Sequence, residues 1–147
     1  MAEPFNGRLL DLLAETTREL ADTLHADASS ISRVIGDVLI MVSEVVPEGR
    51  TMQMGHGFLV PDYPLTQKVL TTGVPATLTL TDPDADADEA LLLKELGFAS
   101  LLMLPLEIGG ETWGLVEVYR TDAVAFHADD VREAVAIIGR TSARAGG

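Results

Sequence analysis

The stretch SLLMLPLEIGGETWGLVEVYR at residues 100–120 constrains the fold of this chain more than any other. Two apolar runs flank Gly109 and Gly110, a pattern typical of a β-hairpin with a two-residue glycine turn. Because side chains alternate between the two faces of a strand, a turn at these glycines fixes which residues share a face. The predicted register pairs Ile108 with Glu111, Leu106 with Trp113, and Leu102 with Glu117.

Both faces of this predicted hairpin are too apolar to be exposed to water. One face consists of Leu101, Met103, Pro105, Gly114, Val116 and Val118. The other consists of Ser100, Leu102, Leu104, Leu106, Trp113, Leu115, Glu117 and Tyr119. Each face therefore needs a covering layer, and the second face mixes a carboxylate, a phenol and an indole with its apolar groups.

The rest of the chain can supply both layers. Its apolar and turn patterns predict, in order, an amphipathic helix from Phe5 to Leu24, a hairpin over 30–46 with Gly36-Asp37 as its turn, a weak edge strand at 51–57, a helix within 62–75, a strand at 76–80, a helix ending at Gly97 and a closing helix over 126–145. This order predicts an α+β protein with a mostly antiparallel sheet.

The two terminal helices are predicted to cover the hairpin face that carries Gly114, because a glycine in a strand lets a helix backbone approach closely. The middle segment, residues 52–99, is then left to cover the opposite face. A roof of short helices and loops over a sheet tends to leave a cavity in which a small ligand can bind. This assignment depends on the hairpin register, since a shift of one residue exchanges the two faces.

The composition of the chain disfavours several classes of function. The net charge of −13 and the scattered basic residues disfavour binding to nucleic acid or to an anionic membrane surface. The chain has no cysteine, which removes disulfides, thiolate catalysis, Cys-ligated metals and thioether-linked cofactors from it. The N-terminal MAEPFNGRLLDLLAE predicts neither a signal peptide nor a membrane span, so a cytoplasmic location is expected.

Four segments, in their order and spacing, resemble the GAF domain family: LLAETTRELADTLHADASSISRV, DYPLTQKVLTTGVP, LKELGFASLLMLPLEIGGETWGLVEVYR and FHADDVREAVAIIG. The most specific part is Leu-Pro-Leu, the glycine turn and Gly-Leu-Val-Glu-Val, followed by Phe126 and an Asp-Asp helix start. The resemblance implies a PAS-like fold with a central antiparallel sheet of about six strands. It also implies that the N- and C-terminal helices lie on one face, and that short helices and loops cover a ligand pocket on the other.

Members of this family bind cyclic nucleotides, tetrapyrroles, haem or small metabolites, and the sequence disfavours several of these branches. Without cysteine, neither covalent bilin attachment nor the cysteine chemistry of GAF-fold methionine sulfoxide reductases is expected. The Asn-Lys-Phe-Asp-Glu signature of cyclic-nucleotide-binding members is not found. The resemblance therefore implies a regulatory, non-enzymatic module whose ligand the sequence does not name.

A ligand site is predicted between the mixed face of the hairpin and the middle segment. Trp113 and Leu102 would form an apolar wall, and Ser100, Glu117 and Tyr119 would supply directional hydrogen bonds. The full predicted set is Phe58, Tyr63, Leu65, Val69, Leu78, Leu80, Ser100, Leu102, Leu104, Trp113, Leu115, Glu117 and Tyr119. The alternative is that these side chains pack against one another and leave no room for a ligand.

Catalysis is not expected at this site. Glu117 and Tyr119 could form an acid–base pair, but no nucleophile elbow, HExxH motif or glycine-rich phosphate loop accompanies them. A buried carboxylate more often anchors a ligand or a backbone amide.

The histidines raise the alternative of a haem sensor. His56 lies in the segment expected to approach the pocket, where one histidine could be a proximal haem ligand. No CxxCH attachment motif supports haem, so it is the less favoured reading. His25 lies at a helix end, where the helix dipole favours a cation. His127 occupies an N-cap position that is usually Ser or Thr in the family, and Asp130 can still complement the helix dipole there.

The acidic loop DPDADADEALLLKE raises the question of calcium. The spacing of an EF-hand loop is matched by Asp84, Asp86, Asp88 and Glu95. Glu89, however, stands where such a loop needs glycine. Helix capping by these carboxylates is therefore predicted instead of a metal site.

The predicted function is signal transduction by one GAF domain spanning residues 1–147, with a core at about 9–138 and a frayed tail at 141–147. The expected partners are an unidentified small molecule, a second copy of the chain and, possibly in trans, an effector protein. The homodimer is predicted to form through the terminal helices at Leu9, Leu13, Leu20, Val131, Val135 and Ile138. A purely structural dimerisation module without a ligand is the alternative.

Overall fold

The computed structural model of the protein describes residues 7–47 and 57–146, and these form four α-helices, one 3₁₀ helix and six β-strands. The elements are α1 Gly7–Thr23, β1 Ala28–Ile35, β2 Val38–Val45, β3 Gly57–Leu59, the 3₁₀ helix Val60–Asp62, α2 Pro64–Thr72, β4 Ala76–Thr79, α3 Ala87–Glu95, β5 Ser100–Ile108, β6 Glu111–Arg120 and α4 Ala128–Gly146. Phe5, His56 and most of the predicted edge strand at 51–57 lie outside the described residues.

The six strands form one antiparallel sheet in the order β3-β2-β1-β6-β5-β4. The long hairpins β1–β2 and β5–β6 lie side by side at its centre, and the short strands β3 and β4 form its edges. The predicted α+β class, with terminal helices on one face and short helices on the other, is therefore confirmed. The sheet has two apolar clusters, one on each face.

Helices α1 and α4 form the layer on one face, which we call the helix face. Leu13 and Leu20 of α1 are fully buried, and Ile137 and Ile138 of α4 are nearly so, in a cluster with residues of β5 and β6. This amphipathic pattern buries one stripe of each helix against the sheet. The predicted dimer residues Leu13, Leu20 and Ile138 are thus part of the protein's own core.

Four buried hydroxyls in the helix layer form two pairs. The hydroxyls of Thr16 and Thr141 lie 2.8 Å apart in a buried contact between α1 and α4. Thr17 makes a similar buried contact of 3.1 Å with Ser43 of β2. These pairs reduce the desolvation cost of the layer, whereas the Oγ of Ser29, which lies opposite Val118 on the same face, is buried without a hydrogen-bond partner among the described residues. A separate observation concerns residues 141–147, which the sequence analysis predicts to be a frayed tail. In the structure residues 141–146 form the end of helix α4.

Local signals explain where the helices begin and end. Helix α2 begins with Pro64 at its first position and ends before Gly73, whose φ of 73° is the left-handed conformation that favours glycine. At the start of α4, the backbone N–H of His127 donates to Asp130 at 2.8 Å, so Asp130 completes the cap as the sequence predicts. At the start of α3, Asp86 accepts a hydrogen bond from the Glu89 N–H at 3.1 Å. The capping interpretation of the acidic loop is confirmed at Asp86.

The predicted register of the 100–120 hairpin is right only next to its turn. Ile108 pairs with Glu111 and Glu107 with Thr112, but Leu106 then pairs with Gly114, so that Trp113 is an extra residue in β6. Such a β-bulge shifts all later pairs by one residue. Leu102 consequently pairs with Val118, where the prediction has Glu117.

This bulge inverts the predicted faces of β5. Leu101 and Met103 lie on the face opposite the helices, and Leu102, Leu104 and Leu106 lie on the helix face. In β6 the predicted faces hold except at Trp113, which the bulge directs toward the helices.

Gly114 is necessary for the contact between two strands. A Cβ atom at this position would lie 2.0 Å from the carbonyl oxygen of Ser32 in β1. Gly114 pairs with Arg33, whose guanidinium donates to the Trp113 carbonyl at 2.7 Å and lies over the indole ring at 4.8 Å. The predicted close approach at Gly114 therefore occurs, but the approaching backbone belongs to β1 and not to a helix.

Candidate functional site

The face of the sheet opposite α1 and α4, which we call the lid face, is covered by the 3₁₀ helix, α2 and α3. Tyr63 and Thr66 from the first part of this lid and Glu89 from α3 meet β1, β2 and β6 around an enclosed cavity of about 30 Å³. The residues lining it are Ser32, Leu39, Met41, Phe58, Tyr63, Thr66, Glu89, Leu92, Leu96, Leu115, Glu117 and Tyr119. A volume of this size holds about two water molecules. A larger ligand can enter only if the lid moves.

The structure brings together part of the predicted site. Five predicted residues line the cavity: Phe58, Tyr63, Leu115, Glu117 and Tyr119. Four others pack in the same apolar cluster without lining the cavity: Leu65, Val69, Leu78 and Leu80.

The other four predicted site residues lie elsewhere. Leu102, Leu104 and Trp113 are part of the helix-face core, because the bulge at Trp113 places them there. Ser100 alternates with them along β5, and its hydroxyl donates to the backbone carbonyl of Asp122 at 3.1 Å. These four are therefore corrected from cavity residues to structural residues, and the wall predicted at Trp113 and Leu102 does not exist.

Seven lining residues were missed by the sequence prediction. They are Ser32, Leu39, Met41, Thr66, Glu89, Leu92 and Leu96. Leu39 and Met41 alternate along the first hairpin, a signal from which their shared face could have been predicted. Glu89 was interpreted only as a failed calcium ligand, although an acid one turn into a helix that packs on a sheet is a candidate for an inward-facing carboxyl.

Glu117 lies on β6 at the floor of the cavity. Burial raises the pKa of its carboxyl to about 8, with a further contribution from Glu89, while a hydrogen bond from Tyr119 acts in the opposite direction. The cavity gives the residue some accessible surface, but protein surrounds the carboxyl. At neutral pH Glu117 is therefore mainly protonated, and it can both donate and accept hydrogen bonds.

Tyr119 is the neighbour of Glu117 on the same face of β6. It is 2 % exposed, and its ring stacks on Phe98 with centroids 4.9 Å apart. Burial raises its pKa well above the ordinary value, the charge of Glu117 adds to this effect, and the nearby Ser30 hydroxyl opposes it. Its hydroxyl is thus a neutral donor at any physiological pH.

Glu89 reaches the cavity from the lid. It is 2 % exposed, and the Thr66 hydroxyl donates to its carboxyl. Burial raises the pKa of Glu89, the hydrogen bond from Thr66 lowers it, and the nearby Asp86 and Asp88 raise it further. Tyr63 lies close by, and its pKa is raised by burial first and then by the charge of Glu89.

The site is acidic and apolar. Two carboxyls from opposite layers face one cavity, and none of the twelve described residues that line it is Lys, Arg or His. Within residues 7–47 and 57–146 there is no group of three or more His, Asp or Glu side chains able to hold a metal ion. His56, the predicted haem ligand, lies outside the described residues.

An antiparallel sheet with terminal helices on one face and a lidded cavity on the other defines a domain of the PAS-like architecture. A family model described as GAF domain matches residues 8–145, so the chain belongs to the GAF domain family. The predicted membership is confirmed. No curated protein matches the chain in sequence.

Solved structures show the same fold at low sequence identity. The phycocyanobilin-bound GAF domain from a cyanobacterial phytochrome is 19% identical, with a TM-score of 0.79 over 94% of this chain and 84% of that one. The phycoerythrobilin-bound GAF domain from a cyanobacterial phytochrome is 17% identical, with a TM-score of 0.80 over 94% and 86%. The blue-light absorbing form of the Thermosynechococcus elongatus PixJ GAF domain is 14% identical, with a TM-score of 0.82 over 95% and 85%.

Among the described residues no helix is both long enough and apolar enough to cross a membrane.

Proposed function

We propose that this GAF domain is a regulatory module of signal transduction that recognises a small molecule in the cavity beneath α2 and α3. The observation that carries the proposal is the pair of carboxyls, Glu89 and Glu117, that face one enclosed space. Removing an ionisable group from water costs free energy, and a domain that needs only a packed core does better with apolar side chains. Buried acids with raised pKa values that converge on a cavity are typical of functional sites.

The construction of the lid supports a site that can open. The 3₁₀ helix has three residues, and α2 and α3 have nine each, whereas the opposite face is covered by helices of 17 and 19 residues. Short elements bury little surface and separate from a core at lower cost than long ones. Displacement of this lid would enlarge the cavity beyond its closed volume of about 30 Å³.

A bilin is not the proposed ligand, although two of the similar solved domains are bilin-bound. This chain has no cysteine to form a thioether with a chromophore. The closed cavity is also far smaller than the hundreds of Å³ that a ligand of ordinary drug size occupies. We propose binding, not turnover, as the role of Glu117 and Tyr119.

A metabolite screen by thermal shift tests this proposal. We expect at least one compound class to raise the melting temperature of the wild-type domain, because a ligand that binds only the folded state stabilises it. The shift should disappear in Glu117→Gln and persist in Thr141→Val, a matched substitution of a buried polar residue on the helix face. If no compound shifts the wild-type domain, or if the shift survives in Glu117→Gln, the cavity is not the recognition site.

Dimerisation is a second proposal, and the exposed side of α4 favours it. Val135 is 49% exposed and borders an open groove of about 290 Å³ together with Pro75, Leu104, Pro105 and Ile138. Of the predicted dimer residues, Val135 is thus the one that α4 presents to solvent as a large apolar group. We expect a dimer in light scattering that Val135→Glu converts to a monomer. If the wild-type domain is a monomer at high concentration, the output we propose is contact with an effector protein in trans. In either case we propose that the domain acts in the cytoplasm.

A further inference from the structure

We propose that the ligand of this cavity is a small organic cation with N–H donors, such as a primary amine, whose charged end binds between Glu89 and Glu117. This inference rests on the proposed function and specifies the chemistry that the site selects. It follows from three features: the converging carboxyls, a serine hydroxyl in the cavity wall, and the aromatic and aliphatic remainder of the wall.

The carboxyls approach the cavity from two different layers. Glu117 belongs to the central strand β6, and Glu89 belongs to α3 of the lid. Thr66 donates to Glu89 and Tyr119 donates to Glu117, so part of the accepting capacity of each carboxyl is used and part remains. Among the described residues that line the cavity, none is basic, so none of them supplies a positive charge there.

Among the described residues, the ionisable groups that act on the two carboxyls are acids and a phenol. Asp86 and Asp88 act on Glu89 from the start of α3, and Glu89 acts on Glu117 across the cavity. Asp62 and Glu95 extend the same negative field to Tyr63 at the edge of the site. An anion would be repelled by this set of groups, and a cation would be attracted.

Ser32 provides a separate indication that the ligand is polar. It is 2 % exposed and lines the cavity from β1. Its place in the cavity wall lets a ligand that donates to its hydroxyl replace water there. An ammonium group has three N–H donors, enough for both carboxyls and Ser32.

The remaining wall suits the hydrocarbon part of an amine. Leu39, Met41 and Leu115 lie on the sheet side, and Leu92 and Leu96 lie on α3. Phe58 and Tyr63 add an edge-to-face pair with ring centroids 6.3 Å apart. Aromatic faces attract organic cations, particularly where water is excluded.

Proton release is the physical signature of such binding. Glu117 is mainly protonated at pH 7 in the free domain, and a cation beside it favours the ionised form. Binding therefore expels a proton, and affinity for a permanently charged amine rises as the pH increases from 6 to 8. A neutral or anionic ligand would not produce this dependence.

The test compares charged and neutral probes of matched shape by titration calorimetry. Benzylammonium and n-butylammonium are titrated against the intact domain at pH 6, 7 and 8, with benzyl alcohol and butan-1-ol as neutral controls. Repeating the titration in buffers of different ionisation enthalpy counts the protons released. We expect an ammonium to bind more tightly than its alcohol by about 10-fold or more, and to release protons at pH 7.

Variants assign the binding to the cavity. Glu117→Gln and Glu89→Gln should each weaken ammonium binding by about 10-fold or more, while Glu19→Gln, which removes a surface acid paired with Arg140 on the helix face, should leave it unchanged. Proton release by the wild-type domain supplies a readout that does not depend on a variant folding.

The outcomes separate the two proposals. If the alcohols bind as tightly as the ammonium ions, or if an anionic metabolite from the thermal screen binds in a Glu117-dependent manner, the cation proposal is wrong and the sensor proposal stands. If ammonium binds without proton release, the charge does not enter between the carboxyls and the cation proposal is wrong. If neither these probes nor the screened metabolites bind, both proposals fall.

Discussion

The two faces of the sheet in this GAF domain differ in the length of the helices that cover them and in the polar groups that they bury. The helix face has two long amphipathic helices, a core of Leu, Ile, Val and Trp side chains, and buried hydroxyls that pair with one another. The lid face has short helices, a small cavity, two carboxyls with raised pKa values and a serine in the cavity wall. One sheet thus carries a face that lowers the free energy of folding and a face that retains unfavourable groups.

This difference separates stability from recognition. On the helix face Thr16 pairs with Thr141 and Thr17 pairs with Ser43, so these buried hydroxyls need no ligand to satisfy them. The lid face leaves hydrogen-bonding capacity on Glu89, Glu117 and Ser32, and such incomplete satisfaction is what a ligand can relieve. Signalling in the proposed function would therefore start from the lid, while α1 and α4 remain the rigid part.

The largest expected effect on stability is that of a substitution at Gly114. This residue follows the bulge in β6 that determines which face of the sheet each side chain of β5 occupies. Gly114→Ala should destabilise the domain by about 3 kcal/mol or more, because the added methyl would lie 2.0 Å from the Ser32 carbonyl oxygen and the backbone must move. Urea denaturation followed by circular dichroism measures the change.

Gly139→Ala is the matched control for this substitution. Gly139 lies in α4, and a Cβ atom there would have no neighbour within 4 Å. Alanine stabilises a helix interior relative to glycine, so this variant should gain up to about 1 kcal/mol. Equal effects of the two substitutions would contradict the register described for β6 and β1.

The next largest expected effect is the pH dependence of the free energy of unfolding, which the buried acids of the lid face cause. Glu117 has a pKa of about 8 in the folded state and an ordinary value of 4.5, so between these values the unfolded state binds fewer protons. The free energy of unfolding should therefore be highest below about pH 4.5, as far as this group is concerned, and fall as the pH rises toward 8. Glu89, whose pKa is also raised, acts in the same direction.

Denaturation curves at pH 5, 6, 7 and 8 test this dependence. We expect Glu117→Gln to flatten the profile and to lose about 3 kcal/mol less than the wild type between pH 5 and pH 8, since one unit of pKa corresponds to about 1.4 kcal/mol. The surface variant Glu19→Gln should retain the wild-type slope. A wild-type profile that is flat over this range would show that Glu117 is not held protonated by its surroundings.

The smallest effect is local to the lid. Asp86→Ala removes the carboxylate that caps α3, which should cost about 1 kcal/mol. Because α3 is a short peripheral element, we expect amide hydrogen exchange to accelerate in residues 87–95 and to stay unchanged in β5 and β6. Uniform acceleration across both regions would mean that lid and sheet open as one unit, against the distinction between the two faces.

Local patterns were sufficient to predict the elements of this fold. Pro64 and Gly73 delimit α2, Gly36-Asp37 and Gly109-Gly110 form the turns of the two long hairpins, and apolar stripes mark α1 and α4. Each of these signals acts within a few residues of chain, so no knowledge of tertiary packing is needed to use it. The family resemblance added the arrangement of layers.

The candidate site was predictable only in part, because its members depend on one extra residue in a strand. Glu117 and Tyr119 share a face whatever the pairing, since they are two residues apart in β6. Leu102 and Trp113 were misplaced because a bulge leaves no clear mark in the apolar pattern: Trp113 and Gly114 look equally suited to either face.

The sequence by itself determined where most of the helices, strands and turns lie, the mostly antiparallel character of the sheet, the family, and the exclusion of cysteine chemistry. Tertiary structure alone decided which residues of β5 face the lid, how α3 directs Glu89 toward Glu117, and how little space remains between them. The physical reason is the separation in sequence of the residues involved. Helix capping and apolar periodicity depend on neighbouring residues, whereas the face on which a side chain lies depends on the contact of β1 with Gly114, which is distant in the chain. A cavity, likewise, is a property of the gap between layers and belongs to no single segment.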